Sequence, residues 1–165
     1  MSKELQKKLY KSLDPYLEDS TASLHTLEFN EKEPGYSPDI FNQPLHMVQL
    51  AQAGLPWSTF EKLSGKLNFS DQEWSDILDI SSKSLQRYRA ARSSFRPMQS
   101  EKILDIVRIL AIGKKVFPDI EKFRSWLRIP SIPLGGYKPI ELLNISYGQQ
   151  LVYHELGHIL YGIFA

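Results

Sequence analysis

Between Ser70 and Arg92 the sequence spells two short helices separated by three residues, a spacing that leaves the chain few ways to fold. Ser70-Asp71-Gln72-Glu73 is a capping box: the serine hydroxyl accepts from the amide three residues on, and the glutamate reaches back to the serine amide. The helix it opens puts Trp74, Ile77 and Leu78 on its buried side. Asp79-Ile80-Ser81 interrupts it, with apolar Ile80 as the pin of the turn, and a second helix runs from Ser82 to about Arg92. Two helices joined so tightly cannot bury their apolar sides against each other alone. They need a scaffold helix behind them, which is the arrangement of a helix-turn-helix.

The rest of the chain supplies helices and no strand pattern of useful length, so the expected fold is all-α. Trp57 to Leu67 carries Phe60, Leu63 and Leu67 on one face. Pro97 starts a longer helix through Ile103, Leu104, Val107, Leu110 and Ala111, reaching past Gly113 towards Phe117. Pro118-Asp119 restart a helix with Phe123, Trp126 and Leu127; RIPSIPLGGYKP is a loop; Pro139 opens a short helix; and Ser146 to about Phe164 reads as one closing helix. In the loop, one of Gly135 and Gly136 is expected to supply a positive φ. At the front, Leu5, Leu9, Leu13 and Leu17 predict an amphipathic helix over Ser2–Leu17, whereas 18–52, acidic and with three prolines, reads as an irregular arm. The expected organisation is therefore residues 1–55 as helix and arm, 56–96 as the helix-turn-helix module, and 97–165 as a helical C-terminal domain. There is no cysteine, so a disulfide framework, a thiolate zinc knuckle and a cysteine nucleophile are excluded. No apolar run of eighteen residues predicts a membrane span, and the first residues lack the apolar stretch of a secretory signal; the cytoplasm is the expected setting.

A net charge of +1 conceals an uneven distribution. Residues 1–79 hold 7 Lys/Arg against 13 Asp/Glu, while 83–128 hold 12 against 4. A basic middle points to a polyanion as partner for that part alone. On the helix from Ser82, Leu85 and Tyr88 must face the scaffold, which turns Lys83, Gln86, Arg87 and Ala90 outward. Lysine or arginine can pair with guanine and glutamine with adenine, so Lys83, Gln86 and Arg87 are the candidates for reading bases. Ser82 and Ser84 at the helix start, with Arg89, Arg92 and Arg96, are placed for phosphates. The expected ligand of this surface is operator DNA.

His154-Glu155-Leu156-Gly157-His158 matches the zincin motif, in which two histidines one turn apart share a zinc and the glutamate is the general base. Only seven residues follow, and none is His, Asp or Glu, so a third ligand would have to come from upstream. Val152, Leu156, Ile159, Leu160 and Ile163 form the apolar stripe of this helix, and the two histidines project on the opposite side with Tyr161 and Ala165. As a catalytic signature the motif is therefore read as accidental, with no catalytic residue and no cofactor expected. No metal site is expected here; an adventitious surface zinc on the histidine pair is the nearer alternative to a catalytic one.

Trp126-Leu127, Pro130, Leu134-Gly135-Gly136, Pro139-Ile140-Glu141-Leu142-Leu143, Gly148, Val152, Leu156, Ile159 and Tyr161-Gly162 together resemble the toxin-binding domain of Xre/MbcA/ParS-type antitoxins. Ile80-Ser81, Ser84-Leu85 and Arg87 look like the turn and recognition helix of that family's Xre-like helix-turn-helix, and the resemblance covers roughly residues 56–165. One departure is His158, where the family most often has arginine. The resemblance implies a non-enzymatic antitoxin of a RES–Xre toxin–antitoxin pair. It would form a homodimer within a larger complex, repress its operon by binding DNA, and block the active site of a RES-domain, NAD-degrading toxin with its C-terminal end. On this reading His154, His158, Tyr161, Gly162, Ile163, Phe164 and Ala165 meet the toxin, and Ser82, Lys83, Gln86, Arg87 and Arg89 meet DNA. A stand-alone helix-turn-helix repressor is the second reading, and an HExxH zinc hydrolase the third.

Overall fold

A computed structural model describes residues 10–18, 41 and 43–163. Among them the regular structure is entirely helical: α1 (Asp14–Leu17), α2 (Pro44–Ala53), α3 (Trp57–Leu67), α4 (Asp71–Leu78), α5 (Ser82–Ala91), α6 (Pro97–Val116), α7 (Ile120–Leu127), α8 (Pro139–Leu142) and α9 (Ser146–Tyr161). None of these helices is long and apolar enough to cross a membrane.

The 20-residue α6 is the axis of the molecule, with α1, α2, α3, α4, α7 and α9 packed around it. Ile103, Leu104, Ile106, Val107, Ile109, Leu110, Ala111 and Ile112 are all buried, and Glu101, Lys102, Asp105, Arg108 and Lys115 form the remaining, more open strip of the helix. Lys114 and Lys115 in its last turn complement the helix dipole.

Around the front half of α6 lies an aromatic cluster that seats the helix-turn-helix. Phe60 meets Trp74 edge-on with ring centres 4.8 Å apart, and Tyr88 stacks on Phe95 at 4.5 Å. Gly54, at φ +78°, brings the α2–α3 corner so close to the α5–α6 link that a Cβ would stand 2.6 Å from the Phe95 carbonyl oxygen. The Phe95 amide donates to the Leu55 carbonyl (2.8 Å), and the Leu55 amide to the Ser100 hydroxyl (2.8 Å), so both connections are satisfied inside the core.

Two expectations for the front of the chain are corrected. Residues 44–53 are helical and not irregular: Pro44 occupies the first turn, Leu50 is fully buried, and Gly54 ends the helix. Leu45 and Val48 remain exposed, which blurs the periodicity that would have announced it. Within the expected Ser2–Leu17 helix, of which residues 2–9 lie outside the described ones, the chain turns at Ser12–Leu13 and restarts as the four-residue α1. Pro15 has no N–H to return to Lys11 and forces that restart. Leu13, Tyr16 and Leu17 are buried, and the Lys114 ammonium donates to the carbonyls of Tyr16 (3.0 Å) and Glu18 (2.7 Å).

The C-terminal half closes on the other end of α6. Phe123 of α7 presses on Gly113, where any Cβ would meet its ring at 2.6 Å. The loop Ser131–Tyr137 is cinched by Ser131 N–H to Tyr137 O (3.0 Å) and Gly136 N–H to Ser131 O (2.9 Å). Both of its glycines, Gly135 at +69° and Gly136 at +82°, take positive φ, where the sequence suggested only one. Buried Gln149 donates to the Leu143 carbonyl (2.7 Å) and so caps α8 from α9.

Candidate functional site

Two surfaces hold the residues that the sequence singles out. On the first, α4 opens with the capping box as expected: Glu73 N–H to Ser70 Oγ at 3.1 Å and Ser70 N–H to Glu73 Oε2 at 2.6 Å. Asp79 ends α4 in the left-handed region, the Ile80 amide donates to the Ser75 carbonyl (3.0 Å), and Ser81 caps α5 by accepting from Ser84 N–H (3.1 Å). Leu85 is buried and Tyr88 half-buried, so the opposite side of α5 faces solvent. Lys83, Gln86 and Arg87 are exposed there, and their side chains have no hydrogen-bond or ion-pair partner among the described residues.

Ser82 and Arg89 are placed differently. The Ser82 hydroxyl sits 3.5 Å from Gln72 Oε1 and 3.4 Å from Ser75 Oγ, turned towards α4. Arg89 forks onto Asp71, Nη1 to Oδ2 at 2.9 Å and Nη2 to Oδ1 at 2.5 Å, and lies 5.7 Å over the Trp57 ring. The guanidinium holds the Asp71 carboxyl below its ordinary pKa, and the carboxylate in turn raises that of Arg89. Arg92 pairs with Glu61 at 3.2 Å. These contacts brace α5 against α4 and α3, leaving Lys83, Gln86 and Arg87 as the outward cationic and amide groups. Exposed Asp76 and Asp79 border the turn beside them, and Arg96, the remaining cationic phosphate candidate, is exposed at the N-cap of α6.

The second surface is α9. Val152 and Leu156 are fully buried against α6, Gly148 and Gln149 are buried beside them, and Ile159 and Leu160 are half-covered. The opposite side presents Tyr147, Leu151, His154, His158 and Tyr161 in steps of four, three, four and three residues. Tyr147 (79% exposed), Leu151 (55%) and Tyr161 (76%) make this an apolar and aromatic stripe of a kind that a solvated helix face rarely carries. Tyr147 and Leu151 were not among the sequence candidates, although the same wheel that set His154, His158 and Tyr161 outward places them there. Gly162 caps the helix at φ +65°, and the Ile163 amide donates to the His158 carbonyl (2.9 Å). Ile163, assigned to the apolar stripe from sequence, is 59% exposed because that cap turns the chain away from α6. Phe164 and Ala165 lie outside the described residues.

Within the HExxH segment, Glu155 Oε2 lies 3.6 Å from His158 Nδ1. Among the described residues, no three His, Cys, Asp or Glu side chains gather in a metal-holding group. An open hollow of about 400 Å³ lies between α4 and α8, lined by Glu73, Asp76, Arg128, Lys138, Glu141 and Asn144 among others. Its two cations are taken up by its own carboxylates, Arg128 on Glu73 at 3.2 Å and Lys138 on Glu141 at 3.7 Å, and Asp76 accepts from the Gln72 amide (2.8 Å).

With both surfaces in place, comparison with known proteins is decisive. Residues 46–108 match the antitoxin Xre-like helix-turn-helix domain, and residues 113–162 match the antitoxin Xre/MbcA/ParS C-terminal toxin-binding domain. The chain belongs to the Xre/MbcA/ParS-type antitoxins. Among its relatives, the Prs ADP-ribosylating antitoxin of Sphingobium sp. (strain YBL2) is 24% identical over 131 residues, 74% of this chain and 82% of that one. The antitoxin Xre of Yersinia enterocolitica is 32% identical over 87 residues, 52% of this chain and 59% of that one. A chain in the crystal structure of the M. tuberculosis MbcT–MbcA toxin–antitoxin complex shares the fold, with a TM-score of 0.53 and 20% identity over 66% of this chain and 96% of the other. The C-terminal match ends at Gly162 and spans α7, α8 and α9, so the exposed stripe belongs to the toxin-binding domain. The helix-turn-helix match begins within α2, the helix that the sequence reading took for part of an arm.

Proposed function

We propose that this antitoxin acts in the cytoplasm, without enzymatic activity of its own, by docking the outer face of α9 and the residues after it onto a RES-domain, NAD-degrading toxin and obstructing the active-site cleft. The observation that carries this reading is the continuous exposed stripe Tyr147, Leu151, His154, His158 and Tyr161 on a helix whose other side is anchored in the core. Gly162 ends the helix in a defined cap, and Ile163 after it is exposed. Co-expression with the toxin tests the proposal. Tyr147→Asp/Leu151→Asp and deletion of 162–165 should each abolish protection of growth while leaving circular dichroism unchanged; protection that survives both would refute it.

In the same proposal α5 reads operator DNA through Lys83, Gln86 and Arg87, the antitoxin being a homodimer within a larger complex. Support comes from the three unpartnered side chains on a braced helix, although Asp76 and Asp79 beside the turn oppose phosphate approach. Those free side chains would serve a stand-alone repressor equally well. The two readings part on a single result, because a stand-alone repressor binds its operator but gives no protection in the co-expression assay. Lys83→Glu/Arg87→Glu should weaken operator binding and flatten its salt dependence by up to about two charges. Binding that is indifferent to this pair removes α5 from the groove.

A further inference from the structure

His154 and His158 stand one helical turn apart on α9, so their imidazoles rise from the same strip of its outward face. Both are exposed. Beside His154 lies the Tyr153 ring, edge-on at 6.0 Å, and beside His158 the Glu155 carboxylate, largely covered at 13% exposure, with Oε2 3.6 Å from Nδ1. The carboxylate lies nearest Nδ1, so Nε2, across the ring, is the candidate metal-binding nitrogen.

We infer that His154 and His158 form a two-point chelate for a divalent cation of the zinc class. Imidazole nitrogen selects zinc, cobalt, nickel and copper over magnesium and calcium, which take oxygen ligands. Two protein ligands leave the remaining positions of a tetrahedron to water in the isolated chain. Glu155 stands beside the His158 ring, and among the described residues no third His, Cys, Asp or Glu completes a metal-holding group. The chelate bridges the last two turns of α9. Because the His158 carbonyl accepts the Ile163 amide, metal binding also tightens the cap at Gly162. The site rests on these side chains alone and holds or fails independently of the toxin reading.

The test uses the full, metal-free chain titrated with zinc chloride by calorimetry and with cobalt chloride by visible absorption. One ion should bind per chain, with affinity falling at least about tenfold in His154→Asn and in His158→Asn. A His25→Asn/His46→Asn control should bind as the unsubstituted chain does. Glu155→Gln should weaken the site about tenfold without changing its stoichiometry. In the unsubstituted chain, zinc should shift the ring protons of His154 and His158, spare those of His46, and slow amide exchange at Gly162 and Ile163. Equal affinity in the unsubstituted chain and His154→Asn, magnesium binding as tight as zinc, or ring shifts confined to other histidines would overturn the inference.

Discussion

Gly148 sits where α9 crosses the end of α8, and any side chain there would run into the Leu142 carbonyl oxygen. Because that obstacle is backbone, relief requires the two helices to part. Gly148→Ala should cost about 3 kcal/mol in urea denaturation. Gly65, inside α3 with nothing within 4 Å of an added Cβ, should respond in the opposite sense, Gly65→Ala stabilising by about 0.5–1 kcal/mol. Asp105 presents a titration of the same local kind. Burial pushes its carboxyl above the ordinary carboxylate range, against the pull of Arg108 at 3.4 Å. The folded state therefore holds this proton more tightly than the unfolded one, and stability rises as pH falls through the interval above the ordinary value. At neutral pH the charged group costs stability. Asp105→Asn should raise the urea midpoint at pH 7, with its advantage shrinking towards about pH 4. Asp71 behaves oppositely: its lowered pKa means that the contribution of the Arg89 fork is present at neutral pH and lost in acid. That contribution is roughly 1 kcal/mol at most, since both groups are about half exposed.

At the scale of elements, α4 and α5 were legible because their determinants are local. A capping box, a three-residue turn and an N-cap serine each act within four residues, and the structure reproduces all three. Arg89 was legible only as a cation. Its partner Asp71 is eighteen residues away, and only the crossing of α4 and α5 brings them together. Arg89→Ala should consequently lower the thermal midpoint while leaving the salt dependence of operator binding close to that of the unsubstituted chain, as measured by fluorescence anisotropy. A loss of salt dependence matching that of Lys83→Glu would instead place Arg89 on a phosphate. The stripe on α9 lies between these cases. Its spacing is written in the sequence, but its exposure depends on which side α6 covers.

Across the whole molecule, the front of the chain is tied to the body more closely than its composition suggests. Leu13 is fully buried, Tyr10 donates to the Gly54 carbonyl (2.7 Å), Asp14 pairs with Lys62 (2.8 Å), and Lys114 caps α1 from the end of α6. Leu13→Ala should cost about 2–4 kcal/mol. Limited proteolysis should then cut near residues 10–18 sooner than in the unsubstituted chain; an unchanged cleavage pattern would mean that this segment does not anchor the fold.

Helical period, capping residues and prolines, each acting over one or two turns, were enough to establish from sequence an all-α chain, the helix-turn-helix and the outward turn of His154 and His158. The resemblance carried by Trp126-Leu127 through Tyr161-Gly162 reached the family separately, as a likeness of motifs and not from helical period. Tertiary structure alone decided that α2 is a helix, that Leu13 belongs to the core, that Arg89 is a brace, and that Tyr147 and Leu151 complete the exposed stripe. Each of these depends on which distant surface is buried against α6 or α4, and burial is a property of the packed chain that no local window contains.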